Sequence, residues 1–464
     1  MINKIYVDRD AELTESDVIE FVMNFDNSAD LARLNTLEKY FRTQNAGILN
    51  RQVTNGVDNA KIASGYCRYI TNTINGYFLG SKESVVYSYP EGFDDSKLKD
   101  LFRYNDERAI NNKLGENMSV YGYAIEQIYI DELGNFRFAS ISPKNVIVLF
   151  EDNIDQDIHS VIKYRATYLA EEEITRYVVD YYTKDKIYTW VYHNGLFVAE
   201  EAYEMDNIFS DVPFIYYENA NEMGDFESVL HMVDAYDRTL SDMSNLFDYF
   251  NDAYLVFTGA DLEVSYDALG NEINPMIAMK QNKCFTLPVG ATAEFLAKPN
   301  ISSDAITYIG KLKEDIHKFS HVPDISDEKF FGSSGIALEY KLQPLEYLCG
   351  IKESNFRKGL TRRLEILCDY LSIKNANFDF SSILISFNRN TVADLASVYD
   401  TVLKLHGIIS DETLLEQLPN VDKDIELQRL EEQKERNIEE FGLPINKEPL
   451  NEEEKEEEEE VEEE

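Results

Sequence analysis

The side chains of this chain that could bind a metal or catalyse a reaction are few and scattered. His317 and His321 stand four residues apart, which would place both rings on one face of a helix. No HExxH motif accompanies them, and Pro323 predicts that the helix ends near His321. The sequence therefore predicts no metal site.

Sequence motifs of enzymes are also absent. The chain has no GxxxxGK[ST] phosphate loop, no GxGxxG and no GxSxG. Its four cysteines lie far apart without a CxxC pair, which is typical of reduced, buried thiols: Cys67, Cys284, Cys349 and Cys368. It has no signal-like leader and no long uncharged apolar run, so we predict a soluble protein without catalytic or cofactor-binding residues.

Two segments have the chemistry of contact surfaces instead. One is a basic cluster in an otherwise acidic region: Lys352, Arg357, Lys358, Arg362 and Arg363. We favour salt bridges between subunits for this cluster over direct contact with DNA. The other is a Gly/Ser-flanked loop with one cation and two aromatic rings, which is typical of a mobile contact element: Lys329, Phe330, Phe331, Gly332, Ser333 and Ser334. The alternative is that its rings pack inward.

A long helix organises the rest of the chain. Residues 226–257 contain no Gly or Pro, and apolar side chains recur every three or four positions: Phe226, Val229, Val233, Tyr236, Leu240, Met243, Phe247, Phe250 and Tyr254. At 1.5 Å per residue such a helix would be about 48 Å long. A neighbouring copy could use this seam for packing, although a long core helix of one domain would show the same pattern.

The other elements predict an α+β fold. Helical patterns near 28–44 and 57–79 precede a β-hairpin at 120–141 and an antiparallel meander up to about residue 204. Beyond the long helix come short strands and a second helix at 302–321. A helical run follows at 336–373, where Pro344 predicts a kink.

The net charge of −42 constrains the partners of the chain. Affinity for nucleic acid comes chiefly from Lys and Arg, so an acidic body is unsuited to gripping phosphates. It could still surround a nucleic acid that must slide without sticking. The alternative is that the acidity serves only solubility.

Four segments in a fixed order resemble the portal proteins of tailed bacteriophages, of the siphophage type from Gram-positive hosts. They are NRQVTNGVDNAKIASGYCRYITNTINGYFLG (50–80), GYAIEQIYIDELGNFRFASISPKNVIVLFED (122–152), YYENANEMGDFESVLHMVDAYDRTLSDMSNLFDYFNDAYLVFTG (216–259) and FFGSSGIALEYKLQPLE (330–346). The resemblance covers about 390 residues. The Glu-rich tail beyond residue 447 matches no motif, and the region after 391 corresponds by position only.

The resemblance implies a portal fold with an α/β wing, a long-helix stem, a small β-containing clip and a helical crown, assembled as a ring. Its parts would fall on this chain in order: an N-terminal arm at 1–24, the wing at 25–225 with the strand 378–390, stem helices at 226–257 and 302–321, the clip at 258–301, the channel loop at 322–335, a long kinked helix with its connection at 336–377, the crown at 391–440 and an acidic disordered tail at 441–464.

It also implies a function without catalysis. The ring would contain twelve subunits at one capsid vertex of the virion, after synthesis and assembly in the host cytoplasm. Double-stranded DNA would pass through it without sequence specificity during packaging and ejection. Its protein partners would be the large subunit of the terminase, the head-completion or adaptor protein, the scaffolding protein and the major capsid protein, with no membrane and no cofactor. The alternative is a ring, adaptor or scaffold that never conducts DNA.

Overall fold

The computed structural model describes most of the chain: residues 4–52, 59–90, 93, 95–169, 174–251, 255–259, 265–266, 270, 272–273, 289–295, 302–326, 335–373, 379–390, 402–416, 418, 426–430 and 432–433. The chain divides into two compact units, 1–390 and 391–464. Helices and strands are mixed within the first unit, which confirms the α+β class.

Six helices dominate the first 121 residues. They are α1 (Glu15–Asp26), α2 (Ala29–Phe41), α3 (Ala46–Leu49), α4 (Tyr66–Leu79), α5 (Ser96–Asn105) and α6 (Glu107–Tyr121). A capping box between Thr14 and Asp17 starts α1, and the Ser28 hydroxyl caps α2. The helix predicted at 57–79 begins only at Tyr66. The described residues before it, 59–65, are not helical.

The strands of the first 218 residues form two main sheets. They are β1 (Ile5–Val7), β2 (Val85–Ser88), β3 (Tyr123–Ile130), β4 (Phe136–Ile141), β5 (Val146–Glu151), β6 (Ile158–Leu169), β7 (Ile174–Tyr182), β8 (Lys186–His193), β9 (Leu196–Phe197), β10 (Tyr203–Asp206) and β11 (Phe214–Glu218). A seven-stranded sheet has the order β1-β5-β6-β7-β8-β10, with β9 also on β8, and a three-stranded sheet has the order β11-β3-β4.

The predicted hairpin and meander are confirmed. β3 and β4 pair antiparallel, and β5 to β8 pair in sequence order. The hairpin starts later than predicted, because α6 continues to Tyr121 and ends at Gly122, whose φ of 89° favours glycine. The larger core lies where α4 and α6 meet the three-stranded sheet, and a second core lies between α1 and the seven-stranded sheet.

The long central helix is shorter than predicted. After a 3-10 turn (Glu227–Val229), α7 covers Leu230–Asn251, and Leu255–Thr258 is a strand, β12. β12 pairs antiparallel with β15 (Thr292–Phe295), so hydrogen bonds to a distant segment override the helical spacing at its end. Between them lie two short paired strands, β13 (Ser265–Tyr266) and β14 (Glu272–Ile273). The second predicted helix, α8 (Ser302–Phe319), packs against α7.

A long helix and one strand complete the first unit. α9 (Gly335–Ile373) runs for 39 residues without interruption at Pro344. The predicted kink there does not break the helix, and the exposed position of Pro344 allows water to hydrate the carbonyl it leaves unpaired. β16 (Leu384–Phe387) pairs antiparallel with β2. No described helix is long and apolar enough to cross a membrane.

In the second unit the described residues include α10 (Asp411–Glu416), which is preceded by a turn at Gly407 with a φ of 83°, and helical residues at 402–405 and 426–430. The predicted acidic tail from residue 441 lies outside the described residues.

Candidate functional site

The predicted seam of the long helix begins inside the chain's own core. Val229 and Val233 are fully buried there together with Phe226. Tyr236 is half-buried and its ring meets Tyr66 edge to face, with centroids 5.1 Å apart. Since a single chain already covers Val229 and Val233 completely, this part of the stripe packs within the subunit, contrary to the expectation of a contact between subunits.

The stripe becomes more exposed toward the end of α7. Leu240 and Met243 are half-buried, and the Phe247 side chain is 60% exposed. The side chain of Phe250 and all of Tyr254 lie outside the described residues. Any contact of this apolar stripe with another chain would therefore involve the end near Phe247.

Another face of α7 carries a ladder of polar side chains. The Asp237 carboxylate accepts a hydrogen bond from the Ser64 main-chain N–H at 2.8 Å, and the Ser241 hydroxyl accepts one from Ile62 at 3.0 Å. The Asn245 side-chain oxygen accepts a third from the Ala60 N–H at 2.7 Å. The acceptors on α7 are four residues apart and the main-chain donors are two residues apart. Four residues of a helix rise about 6 Å, close to the roughly 6.6 Å that two residues of an extended chain span, so each donor reaches its acceptor.

This polar ladder explains why the predicted helix at 57–79 starts late. Three main-chain donors of residues 59–65 bind α7 side chains instead of carbonyls of their own helix. Asp237 is buried and also accepts a hydrogen bond from the Asn45 amide. Burial raises the pKa of the Asp237 carboxyl, while the hydrogen bonds from Ser64 and Asn45 act in the opposite direction.

The first residues of the predicted channel loop, 322–326, are held by α4 and α8. The Tyr69 hydroxyl donates to the Pro323 carbonyl at 3.0 Å and accepts from the Ile325 N–H at 3.4 Å. The Lys313 ammonium forms a salt bridge with Asp324 at 2.6 Å. The loop residues themselves lie outside the described residues: Lys329, Phe330, Phe331, Gly332, Ser333 and Ser334.

His317 belongs to this anchor and not to a metal-binding pair. Its ring packs edge to face against Tyr66 and Tyr69, and its Nδ1 lies 3.1 Å from the Val322 carbonyl oxygen. Burial lowers the pKa of the His317 imidazole. His321 follows the end of α8 with a φ of 60°, so the two rings do not share a helical face. Within the described ranges no group of three or more His, Cys, Asp and Glu side chains could hold a metal ion.

The basic cluster of α9 is an ion-pair network within the chain. Lys352 is buried and binds Asp225 at 2.8 Å and the Ser119 hydroxyl at 3.0 Å. Arg363 is fully buried, with its guanidinium 2.8 Å from Glu126 and 2.9 Å from Glu107. The predicted roles, salt bridges between subunits or DNA contact, are therefore wrong for these two residues.

Of the other three residues of the basic cluster, two form salt bridges within the chain. Arg362 pairs with Asp211 and Glu365, and Arg357 pairs with Glu353 on the same helix. Lys358 is exposed and forms no salt bridge with any described residue. A sequence signal for the buried members existed, because they lie at three- and four-residue spacing with the buried apolar face of α9: Leu345, Cys349, Lys352, Phe356, Leu360, Arg363 and Leu367.

Sequence reasoning missed an exposed apolar stripe on α9. Tyr340, Tyr347 and Ile351 are spaced by seven and four residues and are all more than half exposed. It also missed the contacts that hold the last residues of the first unit. Arg389 binds Glu346 at 3.0 Å and Glu353 at 2.8 Å, which attaches the segment after β16 to α9.

The sequence matches one protein family over most of its length. The family described as "Phage portal protein, SPP1 Gp6-like" matches residues 24–440, and the chain belongs to this family. The chain is similar to the portal protein of Bacillus phage SPP1, with 22% identity over 476 residues that cover 95% of this chain and 91% of the relative. It is also similar to the portal protein of Clostridium phage phiCD119, with 22% identity over 440 residues that cover 87% and 93%.

Proposed function

We propose that this portal-family chain forms a ring of twelve subunits at one capsid vertex and conducts double-stranded DNA during packaging and ejection. The family match over residues 24–440 is the observation that carries the proposal. In the same proposal the clip docks the large terminase subunit during packaging and the head-completion protein afterwards. The scaffolding and major capsid proteins surround the ring in the virion, which assembles in the host cytoplasm.

The acidic charge of the chain supports a channel through which DNA moves without being bound. With 86 acidic and 44 basic residues, a channel built from this chain would repel phosphates and let an external motor drive the DNA through it. The buried network of α9 strengthens this argument, because Lys352 and Arg363 are enclosed within the chain and unavailable to DNA. Their partners Asp225 and Glu126 are buried as well, so these pairs leave the net surface charge of the chain unchanged.

The anchored segment at 322–326 supports a role for the following loop. Tyr69, Lys313 and the end of α8 hold the chain up to Ser326. A loop that contacts moving DNA needs a fixed base, so that its displacement is confined to its own residues. We assign this role to residues 327–334, between α8 and α9.

The first experiment is native mass determination of the purified chain together with negative-stain images. A ring of about twelve chains of 53.6 kDa with a central hole supports the proposal. A chain that stays monomeric in the presence of scaffolding and capsid protein would favour the alternative of a non-conducting adaptor.

The second experiment separates a conducting ring from a non-conducting one. Shortening the loop at 327–334 should leave rings intact and block DNA packaging in an assay with the terminase. Shortening the 170–173 connection between β6 and β7 is the matched control and should leave packaging unchanged. Normal packaging by the first variant would remove the loop from the mechanism.

A further inference from the structure

β9 and β10 form one outer edge of the seven-stranded sheet. Both pair with β8, and among the described residues no strand lies on their other side. Native proteins commonly protect such edges with Lys, Pro or a covering loop, because unpaired N–H and C=O groups attract other strands. The four-residue β10 sequence, YEMD, has neither Lys nor Pro, but its short length and two acidic side chains also limit nonspecific pairing. The main-chain groups of this edge are left for a partner whose charge complements Glu204 and Asp206.

The register shows which main-chain groups are free. Asn207 donates its N–H to the Asp185 carbonyl at 2.8 Å, and Asp206 lies opposite Lys186. In an antiparallel ladder, successive residues alternate between bonding to the neighbour and pointing away from it. The N–H and C=O groups of Tyr203 and Met205 therefore face β8, and those of Glu204 and Asp206 face outward.

The side chains along this edge alternate in chemistry. Tyr203 and Met205 project to one face of the sheet and are 56% and 50% exposed. Glu204 and Asp206 project to the other face and are also exposed, although Glu204 has a salt bridge with Lys186 at 3.1 Å. Two copies of this edge paired antiparallel would bring like charges together, which is unfavourable. A second copy of this chain is thus a poor occupant.

We propose that the β10 edge binds an extended basic segment of another protein by β-strand addition. Lys or Arg at alternate positions of the segment would face Glu204 and Asp206, and apolar residues between them would pack beside Tyr203 and Met205. The outward main-chain groups would supply the hydrogen bonds. This goes beyond the proposed function, because it concerns a protein contact at the sheet edge and does not depend on DNA passage.

The test uses the full chain and a synthetic peptide, acetyl-KVKVKVK-amide, at about 150 mM salt, where long-range attraction is screened. Hydrogen exchange should slow at the outward amides of Glu204 and Asp206 when the peptide is added. The peptide acetyl-EVEVEVE-amide should give no protection. Affinity is measured in parallel by fluorescence anisotropy of the labelled peptides.

Variants at one position separate the main-chain bond from charge. Asp206→Pro removes an outward donor and leaves the bonds of β10 to β8, so we expect binding about tenfold weaker, or about 1.4 kcal/mol. Asp206→Asn keeps the donor and should weaken binding by only about threefold. Met205→Lys keeps every main-chain group and should also weaken binding, because its added positive charge repels the basic peptide. This variant tests the proposal even if Asp206→Pro disturbs the strand.

The acidic tail could bind a basic peptide nonspecifically, so the location of the protection decides the outcome. Protection confined to residues outside 203–206 would overturn the proposal. Equal affinity of Asp206→Pro, Met205→Lys and the unaltered chain would also overturn it. Association of two chains through this edge without peptide would show that a second copy is the occupant, which likewise contradicts it.

Discussion

At the scale of single residues, the structure is governed by charges buried in pairs. Arg363 and Lys352 each enter the core with carboxylates from other parts of the chain, and Arg363 also lies over the Phe138 ring at 4.5 Å. A buried charge is tolerated only with such partners, because the cost of its desolvation is several kcal/mol. The pairs therefore fix how α9 sits against β3 and α6.

Arg363→Met should lower the free energy of unfolding by about 3–5 kcal/mol, because Glu126 and Glu107 would lose their buried cation. The measurement is the midpoint of chemical denaturation. Lys358→Met, on the exposed side of the same helix, should change stability by less than about 0.5 kcal/mol. Equal stability of the two variants would contradict the prediction. It would mean that water hydrates the carboxylates of Glu126 and Glu107 once Arg363 is removed.

Asp237→Asn should reveal a dependence of stability on pH. Burial raises the pKa of Asp237 in the folded chain, so its contribution is fully present below its unfolded pKa, about 3.9, and is lost as the pH rises through the higher folded value. The variant should therefore gain stability relative to the unaltered chain as the pH rises above about 4. The measurement is the difference in Tm at each pH, with Asp304→Asn at an exposed position of α8 as the control variant.

At the scale of elements, α7 shows how one helix can serve two purposes. Its apolar residues near Val233 complete the core, and its polar ladder binds the non-helical residues 59–65. α4, which follows that segment, then places Tyr69 against the chain at 323–325. The position of the proposed loop base thus depends on contacts between three helices, α4, α7 and α8.

Tyr69→Phe should loosen this base without disturbing the core. The variant keeps the ring that packs against His317 and removes only the hydroxyl that binds Pro323 and Ile325. Loss of hydrogen bonds worth about 1 kcal/mol should speed hydrogen exchange at Ile325 about fivefold. The control is Tyr347→Phe on the exposed side of α9, which should leave exchange at Ile325 unchanged. Equal exchange in the Tyr69 variant would show that Lys313 and Asp324 suffice.

At the scale of the whole molecule, the proposed ring would have to overcome repulsion between acidic copies. The chain carries a net charge of −42, and several of its cations are already paired internally. The apolar side chains of α7, α8 and α9 that are more than half exposed are therefore the best candidates for contacts between subunits: Phe247, Ile306, Tyr308, Tyr340, Tyr347 and Ile351.

From spacing alone, replacing Val233, Leu240 or Phe247 with Asp is expected to abolish ring formation. The structure predicts different reasons for this loss at Val233 and at Phe247. Val233→Asp buries an unpaired charge and should prevent folding of the subunit, whereas Phe247→Asp should fold with an unchanged Tm and fail to assemble. Circular dichroism and native mass distinguish the two. Wild-type-like rings from Phe247→Asp would exclude this end of α7 from the interface.

The sequence by itself determined the features that depend on local order. The alternation of apolar residues predicts the hairpin of β3 and β4, and three- and four-residue spacing predicts α7 and α8. The ordered motifs predict the portal family, which the match over residues 24–440 confirms. Each of these signals is contained in a short window of the chain.

Only the tertiary structure decided where those elements end and which charges are buried. The partners of Lys352 and Arg363 lie 127 and 237 residues away along the chain, so spacing within α9 cannot reveal them. Distant contacts also decide the structure of two segments with a helical pattern. Residues 59–65 donate hydrogen bonds to α7 side chains and do not form a helix, and Leu255–Thr258 pairs with β15. Propensity acts over a few residues, whereas burial and hydrogen bonding between distant segments set the final free energy.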